Sequence, residues 1–222
     1  MINYEMKNIP RIFIDFDLKP EIIVPISRDV SHYLLHVMRC SGCLVFNNGI
    51  EYNAHISDDG KVLKIGSKTS HADPSNDIVV YFSPIKKLDD MINMATQLGV
   101  ARFIPVITEH TVAKHINWDR MRKIAIEASE QSNRNSVPII ENPRNFSELD
   151  LTDMFFADER CAYGYGDGKI TKKITKIFIG PEGGFSETEF KSFDDAGAVG
   201  ISLGKTILRA ELAAIVAITR IL

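Results

Sequence analysis

Two glycine-bearing segments could close main-chain groups around a small ligand. The first is Ile177-Phe-Ile-Gly-Pro-Glu-Gly-Gly-Phe-Ser-Glu-Thr-Glu189, where an apolar run ends at Ile179 and three glycines surround a proline of fixed φ. In such a loop N–H and C=O groups can approach a flat ligand without side-chain obstruction. Ser186 with Glu189 has the form of a capping box and predicts a helix start. The plain alternative is a tight turn at a helix entry. The second segment is Ile201-Ser-Leu-Gly-Lys-Thr-Ile-Leu-Arg-Ala-Glu211. Its Gly204-Lys-Thr206 invites a phosphate-loop reading, but that motif needs a glycine where Val199 stands. Gly164-Tyr-Gly-Asp-Gly168 fails the dinucleotide pattern at Lys169 and is expected to be a surface loop.

A third group, His32-x-x-x-His36-x-x-x-Cys40-x-x-Cys43, contains only zinc-ligand residue types, and its two histidines share a helix face. Its spacing is unlike common zinc modules, and no metal is expected.

The elements that must position these residues have two textures. Up to about Lys68, short alternating runs read as strands: Arg11–Asp15, Gly42–Phe46, Glu51–Ile56 and Val62–Ile65. Asn47-Asn-Gly49 and Asp58-Asp-Gly60 are turn signals between them, and one short helix is predicted near Asp29–Met38. The polar stretch Thr69–Asp77 marks a boundary. It separates a β-rich domain, 1–70, from a second domain, 76–222.

Beyond the boundary, strand and helix alternate. Ile78–Ser83, Arg102–Ile107, Met154–Ala157, Lys176–Ile179 and Val199–Leu203 read as strands. Lys86–Leu98 places Leu88, Met91, Ile92, Ala95 and Leu98 on one helical face, with Gly99 as the stop. Asn117 caps a helix with Trp118, Met121, Ile124, Ala125 and Ala128 on one face. This alternation predicts a parallel sheet covered by helices, with ligands beyond the carboxyl ends of its strands. The tail Ala210–Leu222 is apolar around most of its circumference, which predicts burial on nearly all sides and a homodimer interface.

Composition bounds the function classes. The chain has 222 residues, 45% of them hydrophobic and 25% charged, which excludes disordered and fibrous classes. The apolar run Leu212–Ile218 is too short for a membrane span, and Met1–Arg11 lacks the apolar core of a secretory signal, so the cytoplasm is the expected compartment. Lys and Arg number 26 against 29 Asp and Glu, a net charge of −3, so any phosphate-binding face must be local. Cys40, Cys43 and Cys161 make an odd count that suits reduced thiols.

Taken together, Phe178–Gly184 and Leu203–Glu211, with Pro10–Phe13, His32–Arg39, Gln97–Val100 and Ile124–Arg134, resemble the SPOUT methyltransferases, specifically the ribosomal RNA small subunit methyltransferase E family. Gly-Pro-Glu-Gly-Gly followed at this separation by Leu-Gly-x-x-Ile-Leu-Arg-x-Glu is the specific pairing.

The resemblance implies an N-terminal PUA-like β-barrel joined to a trefoil-knotted α/β domain. The implied activity is transfer of methyl from S-adenosylmethionine to N3 of a uridine in 16S rRNA, leaving S-adenosylhomocysteine and needing no metal. By the same resemblance Ile179, Gly180, Pro181, Glu182, Gly183 and Gly184 form one wall of a cofactor pocket. Leu203, Gly204, Ile207, Leu208 and Arg209 form another, and Ala157 and Glu159 belong to a third. The implied partners are the small subunit's 16S rRNA and a second copy of the chain, with the active site near the dimer interface and no membrane. Met94, Gln97, Asn133, Ser136, Ala210 and Leu212 depart from the family's usual pattern. The departures near Met94 and Ser136 keep open another RNA nucleotide as target; the other alternative is a non-catalytic RNA-binding protein with a decayed pocket, against which the retained Gly180–Gly184 and Arg209 count.

Loss of the uracil N3 proton leaves negative charge that a cation stabilises. Arg209 is the first candidate and Arg134 the second, while an ion pair between Arg209 and Glu211 is the plain alternative. Arg11, Arg39, Lys86 and Lys87 are the candidates for RNA phosphate contacts.

Overall fold

The structure, a computed structural model, describes residues 9–74, 77–112, 115–165, 168–170 and 173–222. The chain divides into two compact units: residues 1–74 with 129–137, and residues 75–128 with 138–222. The sequence assigns Ser129–Val137 to the second domain, whereas the structure groups it with the first.

Hydrogen bonds with Phe13, Gly49, His71 and Asp73 tie the segment there, and Arg11 makes the most. Its Nε donates to Glu51 Oε2 at 2.9 Å, and its terminal nitrogens donate to the carbonyls of Ser129, Glu130 and Arg134 and to Asn135 Oδ1. The Arg11 and Glu51 side chains are only 8% and 4% exposed. Arg11 is therefore an internal clamp, which corrects its assignment as an RNA contact.

The first unit holds a five-stranded sheet in the order β1-β3-β4-β5-β2. Its strands are β1 (Arg11–Phe13), β2 (Ile23–Pro25), β3 (Gly42–Asn47), β4 (Ile50–Ile56) and β5 (Val62–Lys68). Asn48 and Gly49 join β3 to β4 with φ of 50° and 77°, the positive pair that twists a two-residue hairpin correctly. Strand β2 carries no alternation signal, and its Pro25 lacks the donor a central strand needs, so it sits at the sheet edge. The predicted helix splits into α1 (Arg28–His32), capped by Ser27, and a π turn, Tyr33–Val37.

The second unit holds a seven-stranded sheet, all of whose pairings are parallel. Its strands are β6 (Val79–Phe82), β7 (Arg102–Ile107), β8 (Ile139–Ile140), β9 (Arg144–Asn145), β10 (Phe155–Ala157), β11 (Lys176–Ile179) and β12 (Val199–Ile201). The order is β12-β10-β11-β6-β7-β8, with β9 also on β7. The helices are α2 (Leu88–Gln97), α3 (Trp118–Gln131, its last turn grouped with the first unit), α4 (Glu187–Asp195) and α5 (Ala210–Ile221).

Two parts of this unit hold the site's scaffold. An aromatic cluster joins Phe146, Phe156, Phe178, Phe185 and Phe193, with Phe156 stacked on Phe193 at 4.2 Å. Helix α5 packs on α2 and β11 and buries Ala210, Ala213, Ala214, Ala217 and Ile218. Leu212 and Leu222 are 48% and 67% exposed, so burial on nearly all sides is not reached within one chain.

Candidate functional site

Because the sheet is parallel, the carboxyl ends of β6, β10, β11 and β12 open along one edge, and the loops that follow them enclose a cavity of about 680 Å3. That lies within the size range of small-molecule sites. One wall is Ile179 to Gly184, a second is Ile207 to Arg209, and a third is Ala157 with Glu159. A smaller recess of about 60 Å3 shares Ala157, Glu159, Ile207 and Leu208 and adds Leu203 and Gly204. All thirteen residues expected to hold a cofactor thus line one hollow or the other.

The glycine wall is held from behind. Phe185 is anchored in the aromatic cluster, and its ring would press a Cβ at Gly180 to 3.1 Å. Gly184 has φ of +70°, and a Cβ there would overlap Glu159 Oε1, so only glycine fits. The Gly184 carbonyl accepts from His110 Nδ1 at 3.1 Å. Glu182 Oε1 accepts from the Lys86 N–H at 2.8 Å, tying the β11 loop to the β6 loop. Behind it, Ser186 and Glu189 form the predicted capping box at the start of α4. Glu189 also accepts from the Glu109 N–H at 2.9 Å, which joins the β7 loop to the same helix end.

Three carboxylate residues line the cavity, Glu159, Glu182 and Glu211. At Glu159, burial, and then the Asp158 charge, push the pKa above the ordinary carboxylate range, partly opposed by a hydrogen bond from the Phe185 N–H. The loop that carries it is locked by Arg160, whose Nε donates to Asp158 Oδ1 at 3.0 Å and whose Nη1 donates to Asp194 at 3.1 Å. The Arg160 guanidinium also lies 4.0 Å from the Phe190 ring and 4.1 Å from that of Tyr165.

Arg209 is exposed at the cavity, just ahead of α5. Among the described residues its guanidinium has no ion-pair partner, Glu211 included, which removes the plain alternative. Lys86 and Lys87 line the same cavity. Arg134, the second catalytic candidate, belongs to the first unit and is not a lining residue; burial lowers its pKa, with Asp73 opposing. Arg39 is exposed, in a left-handed conformation with φ of 52°.

Tyr163 and Ala213, which the sequence does not single out, also line the cavity, as does Glu211 at the end of the second motif. Ala213 lies just past the end of that motif. Tyr163, 83% exposed, lies in a short 3-10 turn with no sequence signal of its own. Among the described residues no group of three or more His, Cys, Asp or Glu is disposed to hold a metal. Gly166 and Asp167 of the surface loop lie outside the described residues.

Residues 72–222 match the RNA methyltransferase domain family. The chain is 33% identical to the ribosomal RNA small subunit methyltransferase E of Rickettsia conorii, over 95% of this chain and 94% of that one. It is 30% identical to the protein of the same name from Buchnera aphidicola subsp. Acyrthosiphon pisum, over 96% and 92%. A crystal structure of ribosomal RNA small subunit methyltransferase E from Neisseria gonorrhoeae, bound to S-adenosyl methionine, matches with a TM-score of 0.82 at 24% identity, covering 96% of each chain. At that identity the likeness establishes the shared fold.

Proposed function

Since the chain belongs to the ribosomal RNA small subunit methyltransferase E family of RNA methyltransferases, we propose that it methylates N3 of a specific uridine in 16S rRNA, using S-adenosylmethionine. The observation that carries this reading is the convergence of Gly180–Gly184 and Ile207–Arg209 on one cavity, where Arg209, beside Lys86 and Lys87, is an exposed cation with no ion-pair partner among the described residues. The same membership supports a trefoil knot in the second unit, a PUA-like barrel in the first, a homodimer, and action in the cytoplasm. Among the described residues no helix is long and apolar enough to cross a membrane.

The residues present fit the methyl donor. The glycine wall offers main-chain groups for a flat ring, and the absence of a Cβ at Gly184 lets the Glu159 carboxyl pack against that wall. The Glu159 carboxylate suits a positively charged ligand. When bound, the donor supplies a methyl group activated by its positive sulfur. The protein's part is positioning, an effect worth up to ~7–11 kcal/mol of barrier. For N3 to take the methyl carbon, the electrons of the carbon–sulfur bond would stay on sulfur, and the N3 proton would pass to a base or to solvent water. Arg209 stabilises the negative charge this places on the uracil oxygens. N3 lies on the Watson–Crick edge, so the target base must be unpaired or flipped out.

The test is methylation in vitro of small ribosomal subunits from a strain lacking the enzyme, with identification of the product nucleoside. 3-Methyluridine is expected; methyl on cytosine or on a ribose overturns the assignment.

A further inference from the structure

The methyl-transfer site makes no use of His32, His36, Cys40 and Cys43, and the structure separates this group into two halves. Cys43 lies on β3, 3% exposed in the core, where burial pushes its thiol up to about 12. Cys40 is half-buried, with its sulfur 3.9 Å from the Leu34 carbonyl. His32 and His36 face outward, their rings 5.0 Å apart. With Arg28 they make a row at four-residue spacing along α1 and the π turn.

Facing this row is the β4–β5 turn, which carries Asp59, Gly60 and Lys61. Gly60 brings the two walls together: its φ is +69°, and a Cβ there would stand 2.7 Å from Ser31 Oγ and 3.1 Å from Leu35 Cδ1. Between the walls is a cavity of about 420 Å3, lined in part by Arg28, Ser31, His32, His36 and Lys61, all of the first unit. The one carboxylate on its lining is Asp59, which accepts from the Ser57 hydroxyl at 2.6 Å and lies 3.6 Å from Lys61 Nζ. Four basic side chains thus face one acidic group in a hollow open to solvent.

We propose that this cavity binds the phosphate backbone of the RNA substrate, with Arg28 and Lys61 as fixed charges and His32 and His36 as N–H donors to phosphate oxygens. The proposal rests on the chain being an RNA methyltransferase and gives its substrate a contact site in the first unit.

The test measures binding of a small-subunit rRNA transcript to the full chain as a function of salt. Removing one phosphate contact flattens the slope of log affinity against log salt by ~0.7–0.9. Arg28→Ala with Lys61→Ala should therefore flatten it by about twice that and weaken binding roughly tenfold or more at physiological salt. His32→Gln with His36→Gln should weaken binding several-fold. Asp59→Asn should strengthen it, a sign that mere damage to the fold does not produce. Lys19→Ala, which removes a 67%-exposed lysine of the same unit outside this cavity, should change neither slope nor affinity. The heat of S-adenosylmethionine binding should be the same in every variant. If the wild type binds RNA and the Arg28/Lys61 variant keeps its slope, or loses no more than Lys19→Ala, the site is overturned while the enzyme assignment stands. If the wild type takes up the methyl donor but binds no rRNA, the substrate assignment fails together with the site.

Discussion

Arg209 and Glu159 carry opposite charges in one cavity, and each has a distinct signature. Arg209 is exposed and without an ion-pair partner among the described residues, so Arg209→Ala should leave the unfolding midpoint unchanged. Turnover should fall by ~10²-fold or more, as when a transition-state charge loses its donor. Wild-type turnover in that variant would retire Arg209 from the chemistry. Glu159 has its pKa raised by burial, so at low pH it is protonated in the folded chain. A cationic ligand favours the ionised form. Affinity for S-adenosylmethionine should therefore weaken as pH falls through the raised pKa, with proton uptake by Glu159 opposing binding. Calorimetry across pH should show this slope in the wild type and a flatter one in Glu159→Gln; equal slopes would assign Glu159 a purely steric role over Gly184.

At the scale of elements, β1 is joined to the segment Ser129–Asn135 chiefly by Arg11, with the Phe13 N–H donating to Glu130 Oε1 as well. Arg11→Ala would leave the Glu51 carboxylate, 3% exposed, without its cation and four backbone or amide acceptors without their donor. Breaking a buried pair from one side costs about 3–5 kcal/mol. Urea unfolding should show that loss. An unchanged midpoint would mean the clamp is dispensable and would return Arg11 to the RNA candidates. The capping box at Ser186 and the turn at Asn48–Gly49 were legible in sequence because both are made by residues within three positions of each other. Strand β2 was not legible, because its only support is the edge of β5, some forty residues further along the chain.

At the scale of the whole molecule, α5 leaves Leu212 at 48% exposure, and Leu222 just past its end at 67%, while its opposite face is buried. An apolar helix half-covered in one chain is what a second copy would complete. Sedimentation should find a dimer, and Leu212→Lys should shift it toward monomer while far-UV circular dichroism stays unchanged. A monomeric wild type would remove the dimer and with it any active site shared between copies.

The amino-acid sequence by itself determined the local events: the longer strands and helices with a clear periodicity, where α4 begins, and where glycines free the backbone at Gly180–Gly184. It also held the motif spacing that marks the family. These depend on residues close along the chain. Only the tertiary structure decided which charges are surface and which are structural. Arg11 and Lys86 look alike as basic residues near strands, yet one is buried among five acceptors and the other lines a cavity. His32 and Cys43 match as ligand types, yet one faces solvent and the other the core. Burial and ion pairing are set by residues forty to more than a hundred positions away, which come together only once the chain has folded.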